Sequence, residues 1–145
     1  MDLTQEIIGA WALVDYQYPI NGVDTKPLGD HPTGFLMYTP DGYVAANMMT
    51  SDVRPKYASA DLHKGTLAEM AAAAAGYVAY AGRFEIKSYD ETAQKLVVRH
   101  HMTVSMNPTW LGEVQERYVT YDPAAQTITI TAAVNDARLV WRKQQ

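Results

Sequence analysis

Apolar and polar residues alternate with a period of two over much of this chain, the signature of half-buried β-strands. The stretch "RFEIK" turns Phe84 and Ile86 to one side and Arg83, Glu85 and Lys87 to the other, and "TITIT" does the same with Ile128 and Ile130. Runs of this kind recur between turn formers: 9–18, "FLMYT", "YVAANMMT", "RFEIKSY", "KLVVRHHMTV", "EVQERYVTY", "TITITAAV" and "ARLVWR", eight predicted strands. "PDG" at Pro40–Gly42 joins the second and third as a hairpin. Glycines and prolines are too frequent in 19–34 for a regular element, and that segment reads as an ordered loop or lid. One helix is expected, from Thr66 to Tyr80, opened by the capping box of Thr66 and Glu69 and favoured by five consecutive alanines.

A single helix cannot cover both faces of a sheet, so the predicted fold is all-β: an eight-stranded antiparallel barrel formed by residues 1–145 as one domain, with the helix capping a mouth. In that place Tyr77 or Tyr80 would reach the lumen. An eight-stranded barrel encloses room for side chains or one small ligand.

Alternation also decides what the interior holds. His100 shares a face with Leu96, Val98, Met102 and Val104, whereas His101 shares one with Arg99 and Thr103, so His100 is expected inside and His101 outside. On "EVQERYVTY" either face buries a polar residue, because Gln115, Arg117 and Val119 oppose Val114, Glu116 and Tyr118. Met48 and Met49 read as barrel wall.

A net charge of −4 and the scattered lysines and arginines offer no field for phosphate backbones, so neither nucleic acid nor an anionic membrane is expected as partner. With no cysteine there is no thiolate nucleophile or cysteine-based metal site, and adjacent strand histidines diverge, so no metal is expected. The start "MDLTQEIIGAW" lacks the pattern of a signal peptide and no apolar run is long enough to span a bilayer, which predicts a cytoplasmic location. No phosphate-binding glycine loop, G-x-S-x-G or H-E-x-x-H is present, and no cofactor is expected.

"GAW" at Gly9–Trp11 matches the G-x-W arrangement of lipocalins, and "LVWR" supplies arginines, Arg138 or Arg142, to cover Trp11. The order "GAWALVDY", "HPTGFLMYTPDGYVAANMM", "GYVAYAGRFEI", "HHMTVSMNPTWLGEVQERYV" resembles the bacterial and fungal lipocalin-like domain family along almost the whole chain. The family pattern falls here on Pro32, Thr33, Gly34, Tyr38, Asp41, Gly42, Tyr80, Gly82, His100, Ser105, Pro108, Trp110, Gly112, Gln115 and Arg117. The resemblance singles out His100 and implies that Gln115 and Arg117 face inward. Asn47 stands where such sequences often carry glutamine.

Three functions stay open at this level. The first is a cofactor-independent isomerase, cyclase or lyase acting on a small, largely apolar, oxygenated molecule. His100 would be its general acid or base, Arg117 would stabilise a developing oxyanion, and Tyr38 and Tyr80 would donate hydrogen bonds. Asn47, Gln115, Trp110, Phe84 and Met102 would line the ligand. The second is a carrier in which the same groups only orient a ligand held by apolar walls. The third is a satisfied polar core around Pro108 and Trp110 with no ligand. Outer faces bearing Val97 or Tyr118 would suit a homodimer.

Overall fold

The computed structural model describes residues 2–145. Its strands are β1 (Gly9–Ile20), β2 (Val23–Thr25), β3 (Thr33–Tyr38), β4 (Tyr43–Met49), β5 (Tyr77–Asp90), β6 (Lys95–His101), β7 (Val104–Ser105), β8 (Val114–Asp122), β9 (Thr127–Ala132) and β10 (Arg138–Lys143). Eight of them run antiparallel in the order β10-β9-β8-β6-β5-β4-β3-β1, and β1 pairs back onto β10 to close the barrel. Closure removes every exposed strand edge from the ring. The eight barrel strands are the eight that alternation predicts. The two short extras fall in predicted connections: β2 folds back on the end of β1, and β7 pairs with β5.

One end is sealed by a short helix that the sequence reading passes over, α1 (Leu3–Glu6), capped by the Asp2 side chain. Four residues are too few to show a period, yet α1 fully buries Leu3, as the following turn does Ile7, at the end where the β3–β4, β5–β6 and β8–β9 hairpins turn. The amide of Leu3 donates to the Tyr89 hydroxyl at 3.2 Å. Above them Trp11 donates to the carbonyl of Ile7 at 2.9 Å, and its ring is covered by Lys143, whose Nζ lies 4.6 Å from the ring centre. Lys143, and not Arg138 or Arg142, is therefore the cation on Trp11. Trp141 and Lys143 share the inward parity of β10, whereas Arg138 and Arg142 sit on the outer one.

The predicted helix is α2 (Leu67–Ala75), with the Thr66–Glu69 capping box in place. It is shorter than expected, because Gly76 ends it and 77–82 belong to β5, the longest strand. Tyr77 and Tyr80 are thus strand residues. α2 lies at the open end, where β5 begins, but no side chain of it is buried and the end is narrowed instead by the turn around Trp110 and the loop between β9 and β10. Arg54 holds the helix terminus through the carbonyls of Gly76 and Ala73, at 2.9 and 3.2 Å.

Two irregularities shift the alternation. A bulge between Leu13 and Asp15 turns Tyr16 toward the lumen, and another between Ile86 and Ser88 leaves Ile86 38% exposed where the pattern places it inside. Leu96, Val98, His100 and Met102 are buried as predicted, but β6 stops at His101 and Val104 is exposed. Among the described residues no helix is long and apolar enough to cross a membrane.

Candidate functional site

The register Phe84↔His100↔Gln115 lays β5, β6 and β8 side by side, and Arg117 stands two residues along β8 from Gln115. Their inward side chains consequently share one level of the barrel. His100 is fully buried, and both ring nitrogens are engaged: the Tyr38 hydroxyl is 2.7 Å from Nε2 and the Tyr80 hydroxyl 3.0 Å from Nδ1. His101, on the other face, is half-exposed and meets Glu85 at 3.2 Å. Phe84 packs edge-on against Tyr38 with ring centres 4.8 Å apart.

Burial holds the His100 imidazole well below its ordinary pKa, and Arg117 and then His101 push it the same way. The ring is therefore neutral at physiological pH, with one N–H and one lone pair. Burial also raises Tyr38 well above the usual phenol range, Tyr80 adding to this and Arg117 opposing it. Among the described residues the Tyr38 hydroxyl has only His100 as hydrogen-bond partner, and an orphaned buried O–H costs about 1–3 kcal/mol. Satisfying it assigns the directions: Tyr38 donates to Nε2, Nδ1–H donates to the Tyr80 oxygen, and the Tyr80 proton is left for another acceptor.

That acceptor would lie in the inner cavity, of about 80 Å³, whose wall includes Tyr80, Arg117, Gln115, Trp110, Trp141 and Tyr16. The rest of the wall is chiefly apolar, from Leu36, Met48, Val78, Ile130 and Leu139. Arg117, buried on β8, donates to the Gln115 side-chain oxygen at 2.7 Å and to the Glu116 carbonyl at 3.3 Å, and its guanidinium carbon is 5.9 Å from the centre of the Tyr80 ring. Gln115 in turn donates to Glu113 at 2.8 Å. Trp110 meets Tyr80 edge-on, with ring centres 6.2 Å apart. It also forms the rim of an outer hollow with Tyr16, Val78 and Asn135, so these four residues lie between the inner cavity and that hollow.

Of the residues picked out in the sequence, Tyr80, Trp110, Gln115 and Arg117 meet at the cavity wall. His100 and Tyr38 lie one layer deeper, behind Tyr80, and Phe84 and Met102 are also off the wall. Asn47 is on the outer surface of β4, where its side-chain oxygen accepts from the Tyr77 hydroxyl at 3.1 Å; the odd positions of that strand face outward. Tyr16, Trp141 and Asn135 are wall residues that the sequence reading omits. Alternation along "RLVWRK" identifies Trp141 as inward. Tyr16 escapes it because of the bulge, and Asn135 because a loop has no period.

A closed eight-stranded barrel with a sealed floor, a narrowed mouth and polar side chains grouped in an apolar lumen defines a small-ligand-binding β-barrel. The chain belongs to the lipocalin-like domain family, whose pattern it matches over residues 8–144. It is 28% identical to the 4'-hydroxy-3'-methoxypropiophenone carrier protein ppsC of Aspergillus oryzae, over 61% of this chain and 86% of that one. A solved structure of a variant of the fluorescent protein UnaG aligns with 97% of each chain, at 14% identity and a TM-score of 0.38.

Proposed function

We propose that this protein binds a small, mainly apolar, oxygen-bearing molecule in the barrel lumen and carries it unchanged. The observation behind this reading is the position of His100: its nitrogens are both bonded to tyrosines and Tyr80 stands between it and the cavity. A general base must come within hydrogen-bond reach of the proton that it removes. The groups that do reach the cavity, Arg117, Tyr80 and Trp141, are donors suited to holding an oxygen atom. The carrier name of the Aspergillus oryzae relative supports the same reading.

At about 80 Å³ the inner cavity is smaller than the roughly 150 Å³ space that takes up benzene in an engineered protein core. A ring-sized ligand therefore occupies it by displacing Trp110 outward and joining the inner cavity to the outer hollow.

A second reading keeps catalysis, because the Tyr38–His100–Tyr80 chain could pass a proton to the cavity through the Tyr80 hydroxyl. One experiment separates the two. Purified protein is titrated with 4'-hydroxy-3'-methoxypropiophenone while tryptophan emission is followed, since Trp110 and Trp141 both line the cavity. The compound is then extracted and its mass measured. Saturable quenching with an unchanged compound is the expected result; a new mass formed at a rate proportional to protein would replace the carrier reading by the catalytic one.

A further inference from the structure

Arg117 is a buried cation with no counter-ion among the described residues. Its two acceptors, the Gln115 amide oxygen and the Glu116 carbonyl, are neutral dipoles. No ion pair within 4.0 Å involves it, and the carboxylates of its own strand are engaged elsewhere: Glu116 with Lys87 and Arg99 on the outer face, and exposed Glu113 with the amide of Gln115.

The titratable groups that face Arg117 from neighbouring strands are Tyr16 of β1, Tyr38 of β3, Tyr80 of β5 and His100 of β6. None supplies a negative charge at neutral pH. Burial raises Tyr16 and Tyr38, which keeps both protonated, and His100 is neutral. The other polar groups on the wall add donors. Trp141 is buried and its Nε1 has no hydrogen-bond partner among the described residues. The Tyr80 proton is free once Tyr38 has satisfied His100. The Asn135 side-chain oxygen accepts from the amide of Ala137, leaving its NH₂ as a donor. A desolvated cation among donors is stabilised by an anion brought to it, and a guanidinium is shaped to bind an oxyanion.

We propose that the molecule taken into the lumen carries an anionic oxygen, a carboxylate or an ionised phenol, which Arg117 neutralises while Tyr80 and Trp141 direct their donors to the same end. The apolar body of the ligand then lies against Leu36, Met48, Val78 and Ile130. This inference rests on the lumen being a small-molecule site.

The test compares probes matched in shape and different in charge: cinnamate against cinnamamide, and 4'-hydroxy-3'-methoxypropiophenone against its 4'-O-methyl ether. Affinities come from tryptophan quenching in wild type, Arg117→Lys and Arg117→Met. In wild type at least one ionisable probe is expected to bind at least tenfold more tightly than its neutral mate. Arg117→Lys should keep most of that preference and Arg117→Met should lose it while still binding the neutral mate. A cinnamate preference identifies the carboxylate. A phenolate absorption band from bound ketone, at a pH where the free compound is protonated, identifies the phenol. Equal affinities within both pairs in wild type, or a preference that survives in Arg117→Met, overturn the inference and leave the small-molecule reading standing. If Arg117→Met does not fold, the wild-type pairs and Arg117→Lys still decide. Failure of all four probes to bind removes the inference and the small-molecule reading together.

Discussion

Tyr80 joins His100 to the cavity: its hydroxyl is 3.0 Å from Nδ1 of His100, and its side chain is part of the cavity wall. The buried histidine thus sets which way that hydroxyl points. With Nδ1–H donating to the Tyr80 oxygen, the phenol proton is left free for an acceptor on the ligand side.

The two tyrosines should therefore differ on mutation. Tyr38→Phe strips Nε2 of its donor in a fully buried place and is expected to lower stability by about 1–3 kcal/mol. Tyr80→Phe should cost about 1 kcal/mol or less in urea unfolding, because it removes an acceptor beside a cavity that water can enter. It should weaken ligand binding more than Tyr38→Phe does.

His100 also predicts a pH dependence of stability. Its folded pKa lies well below the unfolded value near 6.5, so between the two the unfolded chain binds the extra proton. Its contribution is complete above about pH 6.5 and is lost as pH falls toward the folded pKa. Unfolding free energies at mildly acidic and neutral pH should show a larger acid loss in wild type than in His100→Gln. Equal losses would mean that the buried ring is charged or shielded.

At the floor, Lys143→Met should lose the contact with Trp11 together with the hydrogen bonds to the carbonyls of Glu6 and Ile8, lowering the unfolding free energy by about 1–2 kcal/mol. Arg142→Met, on the outer parity of the same strand, should be within about 0.5 kcal/mol of wild type. Thermal melts of the pair check this directly.

Gly82 tests the packing that carries His100. A Cβ there would stand 1.8 Å from the carbonyl oxygen of His101, so β5 and the end of β6 approach each other only because residue 82 has no side chain. Gly82→Ala should destabilise by about 3 kcal/mol and displace the end of β6, which would appear as a shifted His100 ring signal in NMR.

Trp110 is the main bulk between the inner cavity and the outer hollow. Trp110→Ala should join the two spaces and speed ligand association and release; a barrier lowered by about 1.4 kcal/mol corresponds to tenfold. Stopped-flow quenching of Trp141 would measure it, and unchanged rates would place the access route elsewhere.

Alternation by itself determines the eight barrel strands, and on β6 it gives the inner face that carries His100, because a strand turns successive side chains to opposite sides whatever its surroundings; on β8 it leaves both faces open, and the family resemblance is what points Gln115 and Arg117 inward. It fails where the backbone departs from that period. The bulges beside Val14 and at Ile86–Ser88 reverse the faces after them, which brings Tyr16 and Tyr89 inward against the simple alternation, while Ile86, at the start of the second bulge, is left exposed. The four-residue helix α1 and the loop bearing Asn135 have no period to read. The alanine run predicts helix through Tyr80, yet pairing with β4 takes 77–83 as strand, since a closed barrel requires that edge to be filled. Above all, the sequence assigns His100 and Arg117 to the interior without their mutual positions. Only the tertiary structure puts Tyr80 between the histidine and the cavity and leaves Arg117 without a counter-ion among the described residues, because those relations depend on distances between strands far apart in the chain, and side-chain alternation has no knowledge of distance.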